Sequence, residues 1–177
     1  MKQITGLMLA FITLLSIQSC QSNKRANNYN KEVLVNDSGM LFLENGNEAS
    51  LAIVKASGLA ISNSKNQKVI QFAKAMIDDH TLLSDELRKL EADNFVNDAD
   101  TVNVAHQQAI AGLEQKKAAD FDKAYIEMVV NEHAQEVVLF KNASANKSAN
   151  VADFAQKTMP ALQAHLDSAK MIMAGLK

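Results

Sequence analysis

Apolar residues recur every three or four positions in four long segments of the chain, a spacing that places them on one face of an α-helix. The predicted helices cover residues 38–61, 64–94, 120–145 and 150–176. Ser38 and Ser64 are expected to cap the first two helices, because a serine side chain satisfies free backbone amides. The polar connection between the second and third helices contains a predicted short helix at 101–117. Four long helices with one long crossover predict an all-α four-helix bundle.

The composition agrees with a helical protein. The 177 residues include one proline, six glycines and no tryptophan, and 47% of them are hydrophobic, so the chain has few helix breakers and can form a core. The formal net charge of −2, without a basic stripe, argues against a nucleic-acid partner. Pro160 lies inside the fourth predicted helix and is expected to kink or break it, because proline lacks a backbone donor.

The first 20 residues differ in character from the rest of the chain. Lys2 precedes an apolar run over residues 4–17, which is short for a membrane span and is typical of a secretory signal peptide. The run ends in Ser19-Cys20, which resembles the lipobox of bacterial lipoproteins, where the cysteine becomes the lipidated first residue. A cleaved signal with an incidental cysteine is the alternative. Cys20 is the only cysteine, so a disulfide within the chain is impossible.

The sequence therefore predicts three parts of the chain. A lipoprotein signal peptide covers residues 1–19, the lipidated cysteine and a polar tether cover 20–37, and the bundle domain covers 38–177. Acyl chains would anchor the protein to a membrane, which is its expected partner. The residue after the cysteine is Gln21, not the aspartate that favours inner-membrane retention. The expected location is therefore the cell envelope, in the outer membrane and facing the periplasm or the cell surface.

Three of the four histidines lie on three different predicted helices and at or near their apolar faces, namely His80, His133 and His165. The fourth, His106, falls in the polar connection and is expected to be solvated. A histidine on an apolar face is either a buried polar group bonded to a neighbour or a ligand of a metal ion. The pattern of apolar positions fits both interpretations.

Carboxylates near these histidines favour a metal site. Glu136 follows His133 by three residues, so their side chains can meet on one helix face, and Asp79 directly precedes His80. Further candidates are Glu44, Glu48 and Glu132. Such a set suits iron, zinc, copper or manganese. The Glu-x-x-His pairs of di-metal bundles are absent, because Ile77, Val130 and Leu162 occupy the glutamate positions. Glu132 and Glu136 equally fit a solvated helix edge.

Three stretches together resemble a bacterial family of unknown function in the ferritin-like group, whose members are secreted or lipid-anchored and often labelled outer-membrane proteins. The stretches are VIQFAKAMIDDH, FDKAYIEMVVNEHAQEVVLF and MPALQAHLDSAK, within residues 49–170. The resemblance implies a ferritin-like four-helix bundle and makes His80, His133 and His165 features of the family. The chain departs from the pattern at Ile53, where members usually carry a glutamate, which weakens a carboxylate-bridged metal site.

Two functions of different classes follow from these observations. The first is a non-catalytic envelope lipoprotein, a binding or stress-related helical bundle rather than an enzyme. The alternative is a metal-binding or oxidase-like ferritin-like protein that holds iron, zinc or copper through its bundle histidines. A scaffold for partner helices is a third interpretation. The sequence contains no nucleophile triad, phosphate loop or dinucleotide motif, which argues against hydrolases and nucleotide-dependent enzymes.

Overall fold

The computed structural model describes residues 35–96 and 101–176. Within these residues it contains five α-helices and no strand, so the prediction of an all-α protein is confirmed. The helices are α1 (Asp37–Asn63), α2 (Gln67–Asp93), α3 (Val104–Glu114), α4 (Ala118–Ala143) and α5 (Ala149–Gly175). None of the described helices is long and apolar enough to cross a membrane. The predicted signal peptide, Cys20 and most of the predicted tether lie outside the described residues.

Asparagines, not serines, cap the first three helices. Asn36 and Asn66 cap α1 and α2, so the prediction of Ser38 and Ser64 as caps is wrong. Each asparagine side-chain oxygen accepts a hydrogen bond from a backbone amide two or three residues later. Asn103 caps α3 in the same way. Asparagine and serine cap helices about equally well, so a sequence with both residue types near each start leaves the cap ambiguous.

Pro160 lies inside α5 without breaking it, because the helix runs without interruption from Ala149 to Gly175. The predicted break is therefore absent. Proline removes one backbone donor and leaves the carbonyl four residues earlier, at Gln156, without its helical partner. Both Pro160 and Gln156 are exposed, so water can hydrate this carbonyl and the proline ring points away from the core.

Two apolar clusters occupy the interior. The Tyr125 cluster includes Ile53, Met76, Val129 and Ala169, and the Phe140 cluster includes Phe42, Leu83, Leu87 and Leu162. Two large apolar side chains, Leu41 and Val104, are exposed, at 57% and 68%. In α1 the adjacent Phe42 and Leu43 take the inward positions, which turns Leu41 toward solvent.

The long helices pack in pairs that are consecutive in the chain. Helix α1 makes its most extensive contact with α2, and α4 with α5. Helix α1 also contacts α4, α2 contacts α5 more lightly, and α3 lies against α1 and α4. Each long helix contributes to both apolar clusters. Each long helix therefore also passes through the level between the two clusters, so side chains at this level of different helices can meet.

Candidate metal centre

His80 of α2, His133 of α4 and His165 of α5 meet at the level between the two apolar clusters. Along α2, His80 falls between Met76 of the Tyr125 cluster and Leu83 of the Phe140 cluster. One ring nitrogen of each histidine lies within 4.8 Å of those of the other two. His80 and His133 are fully buried, while the side chain of His165 is 16% exposed. The three predicted histidines therefore lie together.

The closest approach joins the Nε2 atoms of His80 and His133, which are 3.1 Å apart. Two ring nitrogens that face each other share at most one proton, so at least one of them presents a lone pair. With metal–nitrogen bonds of ~2.0–2.1 Å, two ligands of a tetrahedral zinc ion are about 3.3 Å apart. The observed separation is therefore close to that of two nitrogens bound to one ion.

The outer ring nitrogens of two histidines are held by acceptors. Nδ1 of His133 donates to the backbone carbonyl of Val129 at 2.9 Å, which leaves Nε2 for the centre. Nε2 of His165 donates to Oδ2 of Asp79 at 2.9 Å, and its Nδ1 is buried without a hydrogen-bond partner among the described residues. Such outer acceptors fix the tautomer and orientation of metal-binding histidines. Asp79 thus contacts His165 from outside the centre and is itself 52% exposed.

Glu136 provides a carboxylate beside the histidines. Its oxygens lie 3.9 Å from Nδ1 of His80 and 3.9 Å from Nε2 of His133. The side chain is 2% exposed, and neither oxygen has a hydrogen-bond partner among the residues that the structure describes. The interpretation of Glu136 as a solvated edge is therefore wrong. Burial raises the pKa of Glu136 to about 8, the charge of Glu132 adds to this, and His106 opposes it.

Burial keeps the imidazoles of His80 and His133 neutral. It lowers the pKa of His80 well below the ordinary value, and the neighbouring His133 and His165 lower it further. Burial also lowers the pKa of His133 to about 4, against the opposing hydrogen bond to Val129. A neutral imidazole is the form that binds metal ions, so these two rings are ready to act as ligands at neutral pH.

His106 is not solvated as predicted, but lies between two carboxylates. Its Nδ1 is 2.7 Å from Oε1 of Glu48 on α1, and its Nε2 is 3.0 Å from Oε2 of Glu132 on α4. Hydrogen bonding to Glu132 is the largest contribution that raises the pKa of His106 to about 9, and burial opposes it. The backbone amide of Asn103 also donates to Glu48. Both ring nitrogens of His106 contact carboxylates, so His106 does not take part in the candidate centre. Its contacts with Glu48 and Glu132 connect α3 to α1 and α4.

We expect His106→Gln to lower the free energy of unfolding by about 1 kcal/mol near pH 6 and to have little effect above pH 9.5. The folded pKa is about 9 and the ordinary value is 6.5, so the stabilisation is complete below pH 6.5 and is lost as the pH rises through 9. The magnitude is small because Glu48, Glu132 and His106 are partly exposed. Urea unfolding at pH 6, 7.5 and 9.5 measures it. A difference between variant and wild type that is independent of pH would contradict the ion-pair origin.

Two surface clefts reach this level of the interior. The first lies between α2 and α5, and its lining includes Asp79, His80 and His165. The second lies among α1, α3 and α4, and its lining includes Glu48, His106, Glu132 and Glu136. We refer to the second as the acidic cleft. Residues of the candidate centre therefore contribute to the walls of two clefts, His80 and His165 to the first and Glu136 to the second.

A protein-family model matches most of the chain. A family model described as "Domain of unknown function (DUF4142)" matches residues 25–172. The chain has no match among curated proteins or among solved structures. The matched region contains His80, His133, His165 and Glu136, so the candidate centre lies within the domain that defines the family.

Proposed function

The chain belongs to the DUF4142 family, and from this premise we propose that it binds one transition-metal ion between His80, His133 and His165. The observation that carries the proposal is the convergence of three ring nitrogens within 4.8 Å, two of them fully buried. Glu136 supports it, because both of its buried oxygens lack a hydrogen-bond partner among the described residues, and a bound cation would provide one. Structural histidines bonded only to one another would leave these two oxygens without a partner.

The donor set favours a borderline metal ion such as iron(II), zinc or copper(II). Magnesium and calcium prefer oxygen ligands, whereas imidazoles suit iron, copper and zinc. Three histidines and Glu136 would complete a four-coordinate site. Catalytic zinc sites keep one position open, while structural sites are closed. The proposed role is therefore metal binding without catalysis, and an oxidase-like reaction is the second candidate for an ion that changes its oxidation state.

We also propose that the fold is a ferritin-like four-helix bundle and that the protein is a lipoprotein of the outer membrane. The pairing of α1 with α2 and of α4 with α5, with α3 in the long connection, supports the bundle. The signal-like residues 1–19 and Cys20 support the anchor. These two proposals do not depend on the metal, and each can fail without the other.

The metal content of the full chain tests the proposed function. The protein is purified in detergent without a histidine tag or chelator, and then mixed separately with iron(II), zinc and copper(II). We expect one tightly bound ion per chain, which is lost when His80, His133 and His165 are all changed to alanine. Tyr125→Phe is the control, because it removes a buried hydroxyl that bonds Ser57 at 2.8 Å, away from the centre, and should retain the ion.

Two results would overturn the proposal. One is a folded wild-type protein that binds none of the three ions, and the other is a folded triple variant that still binds one. If circular dichroism shows that the triple variant is unfolded, His165→Gln replaces it. His165 is partly exposed, so this change should be tolerated by the fold and should weaken metal binding.

A further inference from the structure

We infer that the acidic cleft is where a hydrated divalent cation first binds, at Glu132 and Glu136, before it passes to the three histidines. This inference rests on the proposed function and adds a second cation-binding position to it. The cleft lies among α1, α3 and α4, and its lining carries three carboxylates.

Glu136 belongs to both the acidic cleft and the histidine centre. It lines the cleft, and its two oxygens lie 3.9 Å from ring nitrogens of His80 and His133. Both oxygens lack hydrogen-bond partners among the described residues, and the side chain is 2% exposed. A cation held by this carboxylate on the cleft side can therefore exchange its waters for imidazole nitrogens while Glu136 remains bound to it.

The charges of the two clefts differ. Among the described residues, His106 is the only cationic group that lines the acidic cleft, and it lies between two carboxylates, Glu48 and Glu132, so one negative charge is left without a cationic partner. In the cleft between α2 and α5, Lys157 offsets the charge of Glu86, and Asp79 is bonded to His165. Clefts lined by one sign of charge concentrate ions of the opposite sign and raise association rates. A divalent cation is therefore drawn to the acidic cleft.

The donor atoms change in kind between the cleft and the centre. Besides its carboxylates, the cleft presents the side-chain amides of Asn45, Gln135 and Asn142. Oxygen donors of this type hold a hydrated cation without replacing all of its waters. The imidazoles deeper in the protein bind borderline ions such as zinc and cobalt more strongly than oxygen donors do. Transfer from the cleft to the histidines is therefore favourable for these ions.

The rate of cobalt(II) binding tests the inference. Mixed rapidly with the full chain, Co²⁺ acquires visible absorption when it enters a site of nitrogen ligands, so stopped-flow absorbance reports arrival at the histidines. Glu132→Gln keeps the size of the side chain and removes one negative charge. We expect the association rate to fall about fivefold at low salt, because an ionic contact several ångströms from a divalent ion is lost. The amount of cobalt bound at equilibrium should not change.

Glu86→Gln is the matched control, because it removes the same charge from the other cleft. A slower Glu132→Gln beside an unchanged Glu86→Gln would support the inference. Equal rates in all three proteins, equal slowing of both variants, or slowing by Glu86→Gln alone would overturn it while the proposed function stands. A wild-type protein that develops no cobalt absorption at equilibrium would overturn the proposed function and this inference together.

Discussion

Glu136→Gln should stabilise the metal-free protein by about 2 kcal/mol at pH 7 and should weaken its metal-bound form. The carboxylate is 2% exposed and its oxygens lack hydrogen-bond partners among the described residues, so its ionisation is strongly disfavoured in the folded state. An amide of the same shape carries no charge and does not have this cost. The same change removes a negatively charged ligand from the proposed centre, so the two effects have opposite signs.

The sign and size of the stability change in the metal-free protein follow from the pKa of Glu136, which burial raises from 4.5 to about 8. Above pH 4.5 the unfolded chain loses this proton while the folded protein keeps it, so the folded state becomes less stable as the pH rises toward 8. Between pH 4.5 and 7 this amounts to about 3 kcal/mol, since each pH unit corresponds to about 1.4 kcal/mol. The glutamine amide of the variant is buried without partners, which costs about 1 kcal/mol and leaves a net stabilisation of about 2 kcal/mol.

Urea unfolding with a chelator, and again with excess zinc, measures both effects. Glu136→Gln should be more stable than the wild type with the chelator, and should gain less from zinc, because a ligand stabilises the folded state less when it binds more weakly. Glu86→Gln, an exposed carboxylate, is the control and should change little in either condition. A variant that is less stable with the chelator would mean that Glu136 has a stabilising partner, and an equal gain from zinc would mean that it is not a ligand.

The sequence predicts the helices and places His80, His133 and His165 at or near their apolar faces, because helical periodicity is a local property. A spacing of three and four residues places His80 on the face of Met76 and Leu83, and the structure buries all three side chains. The level at which helices align is not local. That His80 and His133 meet at 3.1 Å depends on how α2 and α4 are placed along their axes, which a pattern within one helix does not encode.

The partners of His106 show the same limit. Its two carboxylates, Glu48 and Glu132, are 58 and 26 positions away in the chain and lie on two other helices. Nothing in the local pattern distinguishes a histidine in a polar connection that is solvated from one held between carboxylates. The sequence offers Glu48 of α1 as a further candidate ligand of the centre, whereas in the structure it accepts hydrogen bonds from His106 and Asn103.

Asp79→Asn should lower metal affinity by about 10- to 100-fold and leave the fold intact. Asp79 accepts a hydrogen bond from Nε2 of His165 at 2.9 Å, which turns the unprotonated Nδ1 toward the centre and makes it a stronger donor. An asparagine oxygen is neutral and accepts more weakly, and its amide group can instead donate to Nε2 and favour the wrong tautomer. Because Asp79 is 52% exposed, stability without metal should change by less than about 0.5 kcal/mol.

Competition between the protein and a zinc-binding dye measures this affinity, and Asp78→Asn is its matched control. Asp78 is exposed and precedes Asp79 directly, so its replacement removes the same charge one position away on the helix. If the hydrogen bond to His165 matters, Asp79→Asn loses affinity and Asp78→Asn does not. Equal losses in both variants would mean that the acidic surface of α2 attracts the metal ion without orienting any histidine, because a general electrostatic effect does not distinguish between neighbouring exposed carboxylates.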